Sequence, residues 1–463
     1  MFDDLDQVGL LAEMAGSQRA ERVAVARRLL AAGRLVQLRA ADAAEDMDRL
    51  NWCVDNWEAV AAEVGAELGI SRHRASSQMN YGVELLERLP RLAAVFAAGE
   101  VDFRVVAAIV FRTGLITDPA LLAQIDTELA ARAGRWNALS HKRVVQLVDK
   151  WVCHFDPAAI RVPKTAEADR QINFAESRNG MVEFWGALRT ADAAALDRTL
   201  DELASTVCAA DTRTKPQRRA DALTALAAGP ATLGCGCGAE GCPNTTATPA
   251  AGVVIHVLAE AATLSGGETP GVLPGYGTLP AEAVRDLAAR ARIRQLKAPW
   301  QFSAEPHYRP SAALADFVRC RDLTCRFPGC DRPAEVCDLD HTVPWGLGGP
   351  THPSNIKLLC RLHHLLKTFW PGWSDVQHPD GTVTWTSPSG RTYTTTPGGA
   401  LFFPQLATPT EKLTAPARQE YSRPGRTLMM PTRRRTRADE RAARIAWERG
   451  LNERRWAADP PPF

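Results

Sequence analysis

The stretch Cys325–Lys367 reads CRFPGCDRPAEVCDLDHTVPWGLGGPTHPSNIKLLCRLHHLLK and crowds four Cys, four His and three Asp into one segment. Cys325 and Cys330 lie across the tight turn RFPG, and further along Cys360 and His363 are separated by two residues. Two short clips of thiolate and imidazole facing each other are how a structural Zn²⁺ gathers four tetrahedral ligands. A module with so many turns has little core of its own, so the metal would supply much of its folding free energy. Cys320 and Cys337 flank the set as alternates.

The clips leave Asp340, His341, Asn355 and His364 over. Asp340 and His341 close the strand-like EVCDLD, and a helix is expected to begin near Asn355 and to carry both His363 and His364. On that helix Cys360, His363 and His364 fall at i, i+3 and i+4, sharing a face but pointing in two directions, one to the clip and one to a cleft. Downstream, GWSDVQHPDGTVTWTSPSGRTYTTT alternates Val, Trp, Tyr and Thr across Asp380-Gly381 and Ser389-Gly390, the pattern of a small β-meander. Trp373, Trp385 and Tyr393 are read there as core in preference to base-stacking platforms.

Working outward, residues 1–160 have helical grammar, as in ERVAVARRLLAAGRLVQL and YGVELLERLPRLAAVFAAG, and predict a helical bundle. Within it AELGISRHRASSQM (Ala66–Met79) has the turn and Ser cap of a helix-turn-helix, with Arg72, His73 and Arg74 at the start of the second helix. An ordinary helical hairpin with a capped second helix is the preferred reading. Residues 161–300 read as a mixed α+β segment: a hairpin across Asn179-Gly180, the helix TADAAALDRTLDELASTV, and the strand GVVIHVLAE. The loop CGCGAEGC gathers Cys235, Cys237 and Cys242, a candidate second zinc site with His256 as the candidate fourth ligand. Cys53, Cys153 and Cys208 read as core thiols. PGYGTLP lacks the third glycine of a dinucleotide fingerprint and is read as a turn, so no small-molecule cofactor is expected.

A chain of 463 residues, 45% hydrophobic and 23% charged, is long enough for about three globular domains of ordinary size. The opening MFDDLDQVGLLAEMAGSQRAERV lacks the basic and apolar regions of a secretory signal, and no apolar run approaches membrane-spanning length, so a cytoplasmic protein without a membrane partner is expected. In a reducing compartment the clustered Cys point to metal. Net charge is only +2, yet from Tyr421 onward there are 11 Arg, no Lys and five acids. This tail, expected to be helical from about Thr436 after the Pro-rich linker in 401–463, could lay Arg433, Arg434, Arg435 and Arg437 along a phosphate backbone. The competing reading is a solvated helix held by Glu/Arg pairs.

The motifs CRFPGC, DLDHTVPW, GGPTHPSNIKLLC and RLHHLLK, within about Leu314–Phe369, resemble the HNH endonuclease family and its zinc-clipped ββα-metal fold. The whole chain looks like the actinobacterial 13E12-repeat family, which sets a helical domain of unknown function before a C-terminal HNH module. DTRTKPQRRADAL (Asp211–Leu223) and MMPTRRRTRADERAARIAWERGLN also fit it. The resemblance implies that His341 is the general base, Asp340 and His364 hold a catalytic Mg²⁺ or Mn²⁺, and Asn355 holds the loop and orients the histidine. Lys367 would contact phosphate or stabilise the transition state. His363 and His364 could exchange duties. The sequence departs from the family at Thr368, where many members place a further His.

The residue chemistry agrees with those roles: hydrolysis of an anionic phosphodiester needs a base titrating near neutrality and a cation to neutralise developing charge. The expected protein is therefore α+β, with a mainly helical bundle (1–160), a mixed segment (161–300), an HNH module with meander (301–400) and a basic tail (401–463). It is expected to act as a DNA endonuclease or nickase with structural Zn²⁺. The alternative is a DNA-binding or regulatory protein whose HNH module is structural, and a zinc deaminase is a poorer reading still because no His-x-Glu precedes a Pro-Cys-x-x-Cys.

Overall fold

The computed structural model describes residues 2–43, 47–161, 170–178, 180–228, 233–240, 242, 256–289, 291–411 and 430–458. It is mainly helical with small antiparallel sheets. The chain divides into two compact units, one built from residues 1–162 and 295–463 and the other from 163–294. The bundle, the clip region and the tail, expected as separate blocks, thus belong to one discontinuous unit.

In the first unit seven helices follow one another: α1 (Gln7–Ala43), α2 (Asn56–Leu68), α3 (Arg72–Glu87), α4 (Pro90–Ala97), α5 (Phe103–Thr113), α6 (Pro119–Ala133) and α7 (His141–Phe155). Their starts obey capping chemistry, since Asp55, Ser71, Asp102, Asp118 and Ser140 each accept a backbone N–H of the first turn. Leu85, Leu89, Phe96, Ile109, Leu129 and Val148 are fully buried in its core. Each such side chain contributes roughly 1.5–3 kcal/mol.

The second unit begins with β1 (Gln171–Phe174) paired antiparallel to β2 (Phe184–Ala187). Asn179 of the expected turn lies outside the described residues, while Arg178 and Met181 bridge around it. The helices α8 (Thr190–Ala204) and α9 (Lys215–Ala228) follow, then α10 (Ala261–Leu264), the hairpin β3 (Gly271–Leu273) and β4 (Gly277–Leu279), and α11 (Ala281–Ala288). PGYG is the turn of that hairpin. Of the expected strand GVVIHVLAE, residues 252–255 lie outside the described residues, and Leu258 forms one antiparallel bridge to Val272.

The first unit resumes with α12 (Ala312–Asp322), β5 (Cys337–His341), β6 (Ile356–Cys360) and α13 (Arg361–Phe369). β5 and β6 pair antiparallel with Asp340 opposite Lys357. The helix expected from Asn355 starts only at Arg361, because IKLLC is a strand with all five residues buried. The meander follows as β7 (Ser374–Gln377), β8 (Val383–Thr386) and β9 (Thr392–Thr395), in that order in one antiparallel sheet. Trp385 is fully buried and Trp373 nearly so, and the Trp385 indole donates to the Arg326 carbonyl at 2.9 Å. Both are core.

One hydrophobic cluster joins Trp52, Val54, Ala59, Ala62 and Ala66 to Cys325, Phe327, Leu359, Leu366, Trp373, Trp385 and Met430. The turn between α2 and α3 therefore packs on the clip. Gly329 is required there, as a Cβ would lie 2.5 Å from the Ile70 carbonyl oxygen and 2.9 Å from that of Gly65. The two helices form a hairpin whose second helix is capped by Ser71, with Arg72 paired to Glu58 and His73 and Arg74 exposed, an arrangement common to both readings of the stretch.

The tail forms α14 (Arg437–Ala458), and several of its arginines pair with acids of the bundle. Arg433 Nη1 lies 2.9 Å from Asp55, and Arg437 reaches Asp55 at 3.0 Å and Glu58 at 2.6 Å. Arg441 pairs with Glu84, Arg449 with Asp156, and Glu448 with Arg161. The acids of the bundle thus claim the basic tail. Arg434 and Arg435 are exposed. No helix among the described residues is long and apolar enough to cross a membrane.

Candidate metal and phosphodiester site

The clip forms where the RFPG turn meets the end of β6. Cys325, Cys330, Cys360 and His363 bring their ligand atoms within 4.8 Å of one another. His363 Nδ1 is 3.3 Å from Cys360 Sγ and 3.5 Å from Cys325 Sγ, and Cys330 and Cys360 are 4.0 Å apart. A tetrahedral zinc with 2.3 Å bonds to sulfur separates its ligands by about 3.8 Å, so the donor set fits that ion. Phe327 stacks on the His363 ring at 4.0 Å and fixes its orientation. Burial and the neighbouring thiols push the Cys325 thiol far above its ordinary range. Cys360 moves the opposite way, because Cys325, Cys330 and His363 surround its sulfur.

A buried pair supports this end of the sheet. Arg321 and Asp322 are joined at 2.7 Å, Arg321 donates to the Pro353 and Ile356 carbonyls, and Asp322 accepts the Leu358 N–H. These contacts fix where β6 begins.

Asp340 points to the face shared by β6 and α13. Its Oδ2 takes Lys357 Nζ at 2.7 Å and Lys367 Nζ at 2.6 Å, while Lys357 also pairs with Asp375 at 2.6 Å. Burial alone would raise the Asp340 carboxyl, but Lys357, Lys367 and His364 outweigh it and hold the group well below the carboxylate range. Lys367, read from the sequence as a phosphate contact, is turned inward and also donates to the His341 carbonyl at 2.7 Å. Burial lowers its affinity for a proton despite the two acids beside it.

His364 sits beside this network, with Asp338 Oδ2 2.8 Å from its Nδ1. With Nδ1 donating to Asp338, the uncharged form of the ring would present its Nε2 lone pair to Asp340 Oδ1 at 3.6 Å. A carboxylate behind a histidine is the usual second support of a metal-binding imidazole. Two acceptor atoms facing each other without a proton between them, carboxylate and imidazole, suit a divalent cation in Asp340 and His364. Asp338 was missed in the sequence, although in DLDH it lies two residues before Asp340 and so shares its face of the strand.

His341 leaves the same strand on the other face. Tyr308 stacks on it at 5.3 Å and Trp345 meets it edge-on at 6.1 Å. Its Nε2 is 2.9 Å from Thr351 Oγ1, whose single proton goes to the His307 carbonyl at 2.6 Å. Thr351 therefore accepts from Nε2–H, and the lone pair lies at Nδ1. Burial first, then Lys367 and Lys357, push the imidazole down to about 4 against the pull of Asp340. The ring is neutral at pH 7. Asn355 clamps the intervening loop, its Oδ1 accepting from Val343 N–H at 2.8 Å and its Nδ2 donating to the Val343 and Pro350 carbonyls.

The structure thus brings Asp340, His364 and Lys367 together, sets His341 behind them against the Asn355-clamped loop, and builds the clip from the four residues expected. In the second unit Cys235, Cys237 and Cys242 do converge, but their fourth neighbour is Cys208 and not His256.

The family model "Domain of unknown function (DUF222)" matches residues 17–322, ending where the first clip begins. Uncharacterized protein Rv3776 of Mycobacterium tuberculosis is 46% identical over 99% of this chain and 92% of its own length. Uncharacterized protein Rv2100 of the same organism is 45% identical over 99% of this chain and 90% of its own. A third protein of that species, described as an uncharacterized protein in the est 3' region, is 41% identical over 68% of this chain and 96% of its own. No solved structure matches. A match over most of the helical part, together with relatives alike from end to end, makes this chain a member of the DUF222 family.

Proposed function

We propose that the C-terminal module is an HNH-type endonuclease that hydrolyses or nicks DNA with a divalent metal ion. The observation that carries this reading is the facing pair Asp340 Oδ1 and His364 Nε2 at 3.6 Å, backed by Asp338 and set beside the Cys/His clip. Zn²⁺ in the clip is structural. Mg²⁺ or Mn²⁺ would be held by Asp340 and His364 and, when bound, supplies charge neutralisation for the phosphate oxygens.

The chain's own residues supply the rest. His341 is neutral at pH 7 and offers Nδ1 to a water proton, with Thr351 fixing the tautomer. Asn355 holds the loop between His341 and Thr351. Lys357 and Lys367 keep Asp340 ionised and are positioning residues. DNA as the polymer rests on the likeness of DLDH and RLHHLLK to the HNH motifs.

The test is nicking of supercoiled plasmid by the purified chain with Mg²⁺ or Mn²⁺. Wild-type protein should cut, and His341→Ala and Asp340→Ala should lose cutting while keeping their zinc. Unchanged cutting by His341→Ala overturns the base assignment. Two observations favour a second reading, a DNA-binding or regulatory protein with a structural module: Tyr308 and Thr351 cover His341, and Thr368 stands at the departure from the family pattern. Duplex binding without cleavage in Mg²⁺, Mn²⁺, Ca²⁺ and Zn²⁺ would select it.

A further inference from the structure

The motif DTRTKPQRRADAL has no task in the nuclease reading, and neither do the thiols of the second unit. Their geometry joins them. Cys208 follows α8, Cys235 and Cys237 lie after α9, and with Cys242 their four sulfurs lie within 4.8 Å of one another. Cys208 and Cys235 approach to 3.5 Å. All four are half-buried, at a depth where metal can enter from solvent.

The loop that presents them is built for the purpose. Gly238, directly after Cys237, adopts a left-handed φ of 67°, which turns the chain so that the Ala239 N–H points back at Cys237 Sγ at 3.5 Å. A backbone N–H aimed at a sulfur compensates thiolate charge. Behind the loop, Asp211 is wholly buried at its side chain and accepts the Gly236 N–H at 2.7 Å. Arg213 grips Asp211 at 2.7 Å, Asp221 at 2.7 Å and the Gly234 carbonyl at 2.6 Å. The Asp, Arg and Asp of the motif thus clamp the backbone of Gly234 and Gly236, on either side of Cys235.

We propose that Cys208, Cys235, Cys237 and Cys242 form a tetrathiolate structural zinc site, positioned by the Asp211–Arg213–Asp221 clamp. Binding one Zn²⁺ releases four thiol protons and leaves a site of charge −2, toward which the Ala239 N–H points at Cys237 Sγ. No electron is transferred. The site is independent of the clip and of any cleavage activity.

The experiment is zinc stoichiometry of the full chain by plasma mass spectrometry, with native thiol counting. Cys208→Ser should hold one zinc fewer per chain than wild type, Cys208→His should restore it, and Cys153→Ser should change nothing. Cys330→Ser should lose a different zinc, so the double variant loses both. Cobalt substitution of the wild-type chain provides a readout free of folding defects: the sulfur-to-cobalt absorption should correspond to a four-sulfur site in addition to the clip. Retention of the full zinc count by both Cys208→Ser and Cys237→Ser would overturn the proposal. So would recovery of Cys208 and Cys235 as a disulfide in freshly purified wild-type protein, or a cobalt spectrum accounted for by the clip alone.

Discussion

The two sulfur clusters of this chain are ringed by different materials. Around the clip, Cys325 and Cys360 are buried among Phe327, Leu359, Trp373 and Trp385. Around the thiols of the second unit the neighbours are polar, the Asp211–Arg213 pair and the Thr206 hydroxyl that accepts the Leu233 N–H at 3.1 Å. Among the described residues, Leu203, Ala204, Ala222 and Leu233 are the buried apolar residues nearby in sequence. A metal beside a packed core adds to a fold that hydrophobic burial already supports. Where burial is sparse, the metal takes the place of the core.

Removing metal from both clusters at once should give the largest effect. Structural zinc contributes on the order of 10 kcal/mol, as much as the whole stability of an ordinary domain. Chelation should therefore open residues 163–294 to hydrogen exchange while the helices α2 to α7 stay protected. Equal loss of protection in both units would end the distinction.

Chemistry gives the next contrast. His341→Ala should lower plasmid nicking on the order of 10²-fold to 10⁴-fold. Cys208→Ser should leave nicking close to wild type, because the tetrathiolate loop has no part in the reaction. A large fall in Cys208→Ser, with the first unit still folded by near-ultraviolet circular dichroism, would tie the two clusters together.

Packing can then be weighed within the first unit. Trp385 is fully buried against Phe327 at 5.0 Å and Trp373 at 6.3 Å. Trp385→Ala should cost about 3–5 kcal/mol in chemical denaturation with zinc still bound. If the variant loses zinc before it loses stability, the metal and not the aromatic core holds the clip region.

The smallest effect concerns charge. Burial alone would raise the Glu58 carboxyl, but Arg72 and Arg437 overcome it and the group titrates below its ordinary 4.5. A depressed folded value means that this stabilisation is complete above about pH 4.5 and is lost as pH falls through the lower folded value. Melting temperature should decline on acidification in that window, and Glu58→Gln should flatten the decline. An unchanged slope would show that the α14 seam is held by packing.

Much of this was legible in the sequence wherever residues close in space are close along the chain. The clip spacing, the capped helices and the meander all follow from short-range rules. IKLLC was misread because a continuous apolar run fits a buried strand as well as a helix, and Asn355 before it resembles a helix cap. Cys208 was missed because it reaches Cys235 only through the α8–α9 turn. The arginines of the tail showed their charge but not their partners, since Asp55 and Glu58 lie at the other end of the chain. Lys357 opposite Asp340 is a matter of strand register, and register is not written in spacing.

The cluster that joins Trp52, Ala62 and Ala66 to Phe327, Leu366 and Trp385 also sets a timetable for synthesis. The early residues leave the ribosome roughly 260 positions before their partners, a delay on the order of 10–50 s at ordinary elongation rates. Throughout that interval Ala59, Ala62 and Ala66 of α2 have no lasting cover, whereas Val60 and Val64 already pack with Ala32, Ala75 and Met79. A nascent chain arrested before Cys325 should bind a holdase chaperone through residues 52–66, and one arrested after Met430 has emerged should release it.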